Sequence, residues 1–453
     1  MSDAEADAAA GRSRQFGPAR PRHPDRPTVW AVLLASVAVA IAFPALEAVG
    51  WLLSPPKRTF LMAGSWLEAV PMVAAGLLVA VWIFTFWSLI GSFLNVVVHR
   101  LPLGQSVVHG GSRCPRCSSP IWWHDNLPVI GWLNLDGHCR SCGLPIAARY
   151  PIVESICAGL ATAVYFRELL SGGANLPGRP PDFVHGGTLQ LFPSPGLELV
   201  GLYLYHCGLL CVLLAWALIT WDGRRVPGRS VATMLAVAAV LPLLFPLLHP
   251  LDLHGMELAP AADGGITMGI RLVQGLGVSL AGGVAGLLGG AALERLLRHL
   301  LCGDAAGRAG QPLRRPAALG IGLALVGVVL GWQGMLGTLI ILLCICLAQI
   351  FAWSALGRWP VVSAELLLVP ATFLELCFWR QLGEGLPPWW PATATPICLA
   401  LPVAMVLAVA AALVAITPAS GHQSRIKQDD APEATTHEES ATPTTGQPCN
   451  ADS

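Results

Sequence analysis

Long apolar runs separated by short polar segments constrain the fold of this 453-residue chain more than any other feature. A helix needs roughly 20 consecutive apolar residues to cross a bilayer, and only helices or closed barrels satisfy their backbone groups there. Hydrophobic residues make up 54% of the chain and charged residues only 12%, well below the roughly one quarter usual in soluble domains. The sequence therefore predicts an all-α polytopic membrane protein.

About ten apolar runs are long enough to be membrane-spanning helices. They lie near residues 28 to 53, 70 to 98, 151 to 166, 195 to 221, 230 to 249, 272 to 293, 317 to 332, 335 to 357, 361 to 379 and 389 to 417. The third and seventh runs are short, so the expected count is about ten transmembrane helices. Closely spaced glycines in the sixth run indicate tight helix packing rather than a nucleotide-binding loop.

The distribution of arginine predicts which side of the membrane each loop faces. Arginine is abundant in the amino-terminal tail, in the segment after the second run and in the loops after the fourth and sixth runs. The loop from 250 to 265 carries Asp252, Glu257 and Asp263 but no Lys or Arg. Because positive charge is enriched on the cytoplasmic side, both termini and the segment after the second run are predicted to be cytoplasmic.

That segment contains two Cys-x-x-Cys pairs, Cys114 with Cys117 and Cys139 with Cys142. Each pair can supply half of a tetrahedral metal shell, and four thiolates leave no open position for a substrate. The pattern predicts a small cytoplasmic zinc-knot domain in which zinc is structural. Two disulfides are the alternative, but thiols stay reduced in the cytoplasm, so the predicted orientation favours the metal.

Five motifs follow one another between the second and third runs. They read Gly-Ser-Phe-Leu-Asn-Val-Val-Val-His-Arg-Leu-Pro from residue 91, Cys-Pro-Arg-Cys from 114, Asp-Asn-Leu-Pro-Val-Ile-Gly-Trp-Leu from 125, Cys-Arg-Ser-Cys from 139 and Arg-Tyr-Pro-Ile-Val-Glu from 149. In order and spacing, this region resembles the amino-terminal domain of the bacterial type IV prepilin leader peptidases, which are membrane aspartic peptidases with a cysteine-rich amino-terminal domain.

The resemblance implies a location, substrates and a cofactor. Members of this family lie in the bacterial inner membrane and remove the leader of type IV pilins and type II secretion pseudopilins. Many then methylate the new amino terminus with S-adenosylmethionine. The expected partners are therefore membrane lipid and prepilin or pseudopilin substrates, with no nucleic acid.

Two polar residues beside these motifs each have two interpretations. Asn95, near the end of the second run, is predicted either to hydrogen-bond across helices or to contact a substrate backbone. Glu154, just inside the third run, is predicted either to stabilise the start of its own helix or to belong to a polar site.

The resemblance fails at the two aspartates that the family uses for peptide cleavage. Those aspartates share a proton, so that one activates water while the other polarises the carbonyl. Alignment on Pro227 puts Thr220 at the first position, and counting back from the Gly-Trp pair at Gly331 puts Leu319 at the second. A hydroxyl and an alkyl group cannot share a proton in this way, so the peptidase half is predicted to be degenerate.

Other carboxylates remain as candidate replacements for the missing pair. They are Asp222, Asp304, Glu365 and Glu375. Asp222 lies two residues from the matched position, about 200° around a helix, and its alternative role is an exposed cap or an ion pair with Arg224 or Arg225. Glu365 and Glu375 lie inside the ninth run, where acidic residues are costly and usually functional.

The sequence thus divides into six predicted regions. These are a disordered cytoplasmic tail at 1–27, amino-terminal transmembrane helices at 28–84, the prepilin-peptidase-like domain with its zinc knot at 85–155, a degenerate peptidase-like transmembrane domain at 156–350, additional transmembrane helices at 351–418 and a second disordered cytoplasmic tail at 419–453. Three functions remain open beside the degenerate one: an active peptidase using other carboxylates, an S-adenosylmethionine-dependent N-methyltransferase, and a non-enzymatic prepilin-binding or scaffold protein.

Overall fold

The computed structural model describes residues 66–109, 111–114, 116–170, 173, 175–177, 196–245, 248–249, 266–302, 317–356 and 363–383. These residues form eight α-helices: α1 Trp66–Arg100, α2 Ile130–Asn134, α3 Arg149–Val164, α4 Gly196–Trp221, α5 Gly228–Leu244, α6 Ile266–Cys302, α7 Ala317–Leu356 and α8 Ala364–Gly383. A 3-10 turn, Leu101–Leu103, follows α1, and a π-helical turn, Tyr165–Leu170, follows α3. The prediction of a mostly helical fold is confirmed.

Four of the described helices are long and apolar enough to cross a membrane. The apolar stretches are Leu78–Leu103, Leu199–Trp221, Val273–Leu297 and Ala318–Phe351. Helices α3, α5 and α8 fall on further predicted runs, whereas the runs at 28 to 53 and 389 to 417 lie outside the described residues. The count of ten spans therefore stays a prediction, as do the tails at 1–27 and 419–453, which also lie outside them.

Helix α7 consists of two helical segments that meet at Gly331, whose φ of 76° and ψ of 176° are not helical. A Cβ at Gly290 would lie 2.6 Å from the Cα of Gly320, and one at Gly289 would lie 3.0 Å from Cδ2 of Leu339. In a straight helix, residues 320 and 339 would be roughly 28 Å apart. The chain therefore doubles back at Gly331, which brings the predicted seventh and eighth runs side by side.

Helices α6 and α7 pack through glycines. Gly282 lies against Gly327, and Gly286 lies against the backbone of Leu323, each with no room for a side chain between the two backbones. Small residues allow this close approach, which increases dispersion contacts between helices in a lipid environment. The prediction of small-residue packing in the sixth run is confirmed.

The segment between α1 and α3 is held at the ends of these two helices. A Cβ at Gly91 would lie 2.8 Å from the Cα of Glu154, so α1 and α3 approach each other closely. The side-chain amide of Asn95 donates to the backbone oxygen of Tyr150 over 3.3 Å, which is the cross-helix bond foreseen for it. The four-cysteine segment therefore has a rigid attachment on both sides.

Candidate functional site

The first Cys-x-x-Cys pair lies in a small hairpin. The amide of Cys114 donates to the oxygen of Ser119 over 3.0 Å, and the amide of Ser118 donates back to the oxygen of Cys114 over 2.9 Å. Ser118 has a φ of 57°, and Arg113 pairs with Pro120 in an antiparallel bridge. The hairpin turns the two thiols toward one side, which is the arrangement that a metal knuckle requires.

The second pair repeats this hairpin. The amide of Cys139 donates to Leu144 and the amide of Gly143 donates to Cys139, each over 2.8 Å. Gly143 has a φ of 66°, and His138 pairs with Pro145 in an antiparallel bridge. Both hairpins carry the pattern Cys-x-x-Cys-x-x-Pro-Ile. That shared pattern is the signal that could have predicted the repeat from the sequence, and it was missed.

The two hairpins bring the four thiols together. All four Sγ atoms lie within 4.8 Å of one another, and Sγ of Cys114 lies 4.0 Å from Sγ of Cys142. Zinc bound to sulfur at about 2.3 Å in a tetrahedron needs sulfur atoms about 3.8 Å apart, whereas a disulfide needs about 2.05 Å. The four cysteines are free thiols. Their arrangement fits a tetrahedral metal ion, as the sequence predicted.

Hydrogen bonds within the hairpins favour the thiolate form that a metal requires. The hydroxyl of Ser119 lies 2.9 Å from Sγ of Cys117, and this bond, with a second from the Ser119 backbone, lowers the pKa of Cys117 to about 6. Backbone hydrogen bonds from Cys142 and Ser141 lower the pKa of Cys139. A backbone hydrogen bond with Leu144 lowers the pKa of Cys142, but desolvation and the three neighbouring thiols outweigh it and raise that pKa to about 11. The hydrogen bonds therefore reduce the cost of displacing the proton at Cys117 and Cys139, whereas Cys142 would lose its proton to the metal.

An ion pair joins the two hairpins through the loop between them. Arg140 donates from Nε and NH2 to the two carboxylate oxygens of Asp125, over 2.7 and 2.6 Å. The side chain of Asp125 is only 5% exposed, and the hydrogen bond from Arg140 lowers its pKa. Nε1 of Trp132 donates to the oxygen of Ile146 over 3.1 Å, which attaches α2 to the second hairpin.

Glu154 connects the four-cysteine segment to the helices. Its buried carboxylate accepts a hydrogen bond from the amide of Val129 over 2.7 Å. Val129 has a φ of 62°, which is strained for a β-branched residue and needs such support. Of the two interpretations of Glu154, the structure supports the polar contact over stabilisation of its own helix.

The residues that the sequence aligns with the two catalytic aspartates of the resembled family are Thr220 and Leu319, and neither is an acid. The hydroxyl of Thr220 donates to the oxygen of Ala217 in its own helix over 2.9 Å, and Leu319 is 2% exposed in the apolar core. Neither side chain supplies the proton chemistry of an aspartate pair.

Asp222 forms an ion pair, but the partner expected from the sequence is wrong. Its Oδ1 lies 2.6 Å from NH1 of Arg149, at the start of α3, and Arg224 instead donates to the oxygen of His99 over 3.0 Å. Helix geometry explains the difference, because the turn after α4 points Asp222 toward the neighbouring helix. The ends of α1, α3 and α4 are thereby joined at the side of the molecule that carries the cysteines.

The other candidate carboxylates do not join Asp222. Glu365 is half-buried in the first turn of α8, and Glu375 is buried farther along α8 against Gly337. Asp304 lies outside the described residues. Among the residues that the structure describes, the four cysteines are the only group of metal-ligating side chains that converges on one point.

These features correspond to a known domain. Residues 86–168 match the family described as "Bacterial Peptidase A24 N-terminal domain". The matched region spans the end of α1, both cysteine hairpins, α3 and most of the π-helical turn. Residues 86–168 are therefore similar to this domain, and the resemblance to prepilin leader peptidases is confirmed for this region.

Individual relatives are each similar over a limited part of the chain. A protein of Myxococcus xanthus (strain DK1622) named "Prepilin leader peptidase/N-methyltransferase" is 52% identical over 79 residues, which cover 17% of this chain and 24% of that protein. A protein of the same name from Klebsiella pneumoniae is 44% identical over 107 residues, covering 22% of this chain and 42% of the relative. The chain thus spans less than half of the length of these curated relatives. No solved structure matches it.

Proposed function

We propose that this protein is a prepilin-peptidase-like protein of the bacterial inner membrane that binds prepilin or pseudopilin segments without removing their leader. The named relatives supply the substrate class. The observation that carries the proposal is the state of the matched positions, where Thr220 bonds to its own helix and Leu319 is buried among apolar side chains. An aspartic peptidase needs two acids at those places.

The contacts of Asp222 support the same conclusion. Asp222 is the single acid that survives near the first motif, and its carboxylate is engaged by Arg149. A charge-assisted hydrogen bond to a guanidinium fixes the orientation of a carboxylate. In this proposal, Asp222 stabilises the junction of α1, α3 and α4 and takes no part in peptide cleavage.

The metal in this proposal is structural zinc, bound by the four thiols of the two hairpins, whose arrangement leaves no position for substrate. In this proposal the hairpins and the amino-terminal tail face the cytoplasm, because both segments are rich in arginine, and an even number of spans would bring the carboxyl terminus to the same side. The zinc knot would then lie where the cytoplasmic leader of a prepilin enters the membrane, and it would serve the binding of that segment.

N-methyl transfer from S-adenosylmethionine is the second candidate function. One observation favours it: the relatives' names include a methyltransferase, and the region that matches the family's domain, residues 86–168, excludes Thr220 and Leu319. A methyltransferase could therefore persist in this chain without its peptidase.

The test is a leader-removal assay in membranes. A prepilin mixed with wild-type protein is expected to keep its leader. The Klebsiella pneumoniae relative in matched membranes is the positive control for leader removal. Co-purification of the uncut prepilin with the full-length protein is expected as well. The double variant Thr220→Asp with Leu319→Asp restores an acid at each matched position and is expected to gain weak cleavage.

The outcomes separate the candidate functions. Leader removal by the wild type would refute the proposal, and single substitutions of Asp222, Asp304, Glu365 and Glu375 would then identify the carboxylates in use. Transfer of labelled methyl groups to a leaderless pilin, without leader removal, would instead support the methyltransferase. Failure to retain any prepilin would exclude the binding function.

A further inference from the structure

The segment between the two hairpins presents large apolar side chains to the outside of the molecule. Trp122 and Trp123 are 63% and 77% exposed, and Leu127 and Ile130 are exposed as well. Trp132, in contrast, is half-buried, and its Nε1 donates to a backbone oxygen of the second hairpin. Large apolar side chains exposed in one short segment indicate an interaction surface. The segment from Trp122 to Ile130 is called the aromatic loop below.

Contacts within the aromatic loop fix its shape. The ring of His124 stacks on Trp122, with centroids 6.5 Å apart, and meets Trp123 edge to face at 5.6 Å. The amide of Gly131 donates to the backbone oxygen of Leu127 over 2.8 Å, which closes the turn that leads into α2. Because the two indoles are already held in place, a partner can bind them at little cost in conformational entropy.

The aromatic loop ends beside the apolar helices and not beyond them. The amide of Val129 donates to the carboxylate of Glu154, five residues after the start of α3. The backbone of Glu154 packs against Gly91, nine residues and roughly 14 Å before the end of α1. The apolar stretch Leu78–Leu103 includes Gly91 and continues past it. The end of the loop is therefore level with the apolar part of α1.

The segment that carries the aromatic loop is positively charged. From residue 100 to residue 149 it contains five arginines, two aspartates and neither lysine nor glutamate. One of the aspartates, Asp125, lies in the loop and pairs with Arg140 over 2.6 Å, so it adds no net charge there. Arg113 and Arg116, in the first hairpin, are exposed. This charge is complementary to the anionic lipids of the cytoplasmic leaflet.

We propose that the aromatic loop docks on the lipid bilayer in which α1 and α3 lie. Trp122 and Trp123 insert into the headgroup region, where the apolar part of an indole and its N–H group both find suitable partners. Leu127 and Ile130, near the deeper end of the loop, contact the acyl chains. Lipid fits this surface better than a protein does, because lipid is the medium around the apolar part of α1. The inference goes beyond the proposed function and does not depend on it.

The test uses the full-length protein, labelled with fluorotryptophan and placed in nanodiscs that contain anionic lipid, without any prepilin. The single substitutions Trp122→Phe, Trp123→Phe and Trp132→Phe assign the three fluorine resonances, and the measurement itself is made on the wild-type sequence. A spin label on the lipid headgroup is expected to broaden the resonances of Trp122 and Trp123, and a soluble paramagnetic chelate is expected to broaden them much less. Trp132 is the matched control, and neither probe is expected to broaden its resonance.

Three results would contradict the proposal. Stronger broadening of Trp122 and Trp123 by the soluble chelate than by the lipid label would overturn it, because the loop would then face water. Resistance to both probes would overturn it too, since a protein surface, such as a second copy of this chain, would then cover the indoles. Broadening by the lipid label should weaken in nanodiscs of zwitterionic lipid alone, and an unchanged effect would refute the contribution of the arginines.

Discussion

Substitution of Asp222 by asparagine tests whether this acid stabilises the fold or performs chemistry. The pair with Arg149 has one charge-assisted hydrogen bond of 2.6 Å, and the two side chains are 25% and 29% exposed. This burial places the pair between surface ion pairs, worth about 0.2–1 kcal/mol, and buried pairs, whose disruption costs about 3–5 kcal/mol. We expect a coupling energy of about 1–2 kcal/mol between the two side chains.

The assay is a double-mutant cycle on the unfolding of the full-length protein in detergent. The cycle compares the wild type, Asp222→Asn, Arg149→Gln and the double variant, with the exposed Arg225→Gln as a control. Asp222→Asn alone should cost more than the coupling energy, because the neutral amide oxygen accepts a weaker hydrogen bond from NH1 and no longer offsets the charge of Arg149, whose NH2 already has no hydrogen-bond partner among the described residues. The double variant should recover part of that loss.

Two results would contradict this reasoning. A coupling energy of about zero would mean that the contact between Asp222 and Arg149 contributes nothing to stability. If Asp222→Asn kept its stability but lost a leader-cleaving activity, Asp222 would be a catalytic residue. That result would refute the proposal that the peptidase half is degenerate.

Three further predictions concern the metal, the helix packing and the orientation. Purified protein should contain about one zinc per chain, and Cys139→Ser should lose it in elemental analysis together with the fold of the hairpins, unlike serine at a cysteine elsewhere. Gly286→Ala should destabilise the protein by about 1–3 kcal/mol in thermal unfolding, because its Cβ would lie 2.7 Å from the amide nitrogen of Ala324, whereas Gly201→Ala meets no atom within 4 Å. A reporter fused after Arg149 should be cytoplasmic and one near residue 258 external, and the reverse result would contradict the arginine rule.

The cysteine site could be predicted in detail because its determinants are local. Two residues between cysteines fix the spacing of their thiols, and the hydrogen bonds of each hairpin join residues no more than nine apart. The helices were predictable for a similar reason, since apolar length alone decides whether a segment can span a bilayer. Even the repeat of the two hairpins was present in the sequence as a shared pattern.

The contacts of the polar residues could not be read in the same way. Arg149 and Asp222 are 73 residues apart in the chain, so the sequence does not predict that they form an ion pair. It guarantees proximity only for Arg224 and Arg225, and these are therefore the partners that it predicts. The same limit applies to Glu375, which the sequence marks as a costly acid without indicating that it lies against Gly337 of α7.

The sequence by itself thus determined the helices that are apolar and long enough to cross a membrane and the convergence of the four thiols, since each follows from residue type and short spacing. Only the tertiary structure decided that α7 turns back at Gly331, that Asp222 pairs with Arg149 and that Glu168 pairs with His206. The physical reason is that these contacts depend on which faces of neighbouring helices pack together. The order of the helices along the chain is compatible with several packing arrangements, so it does not determine those faces.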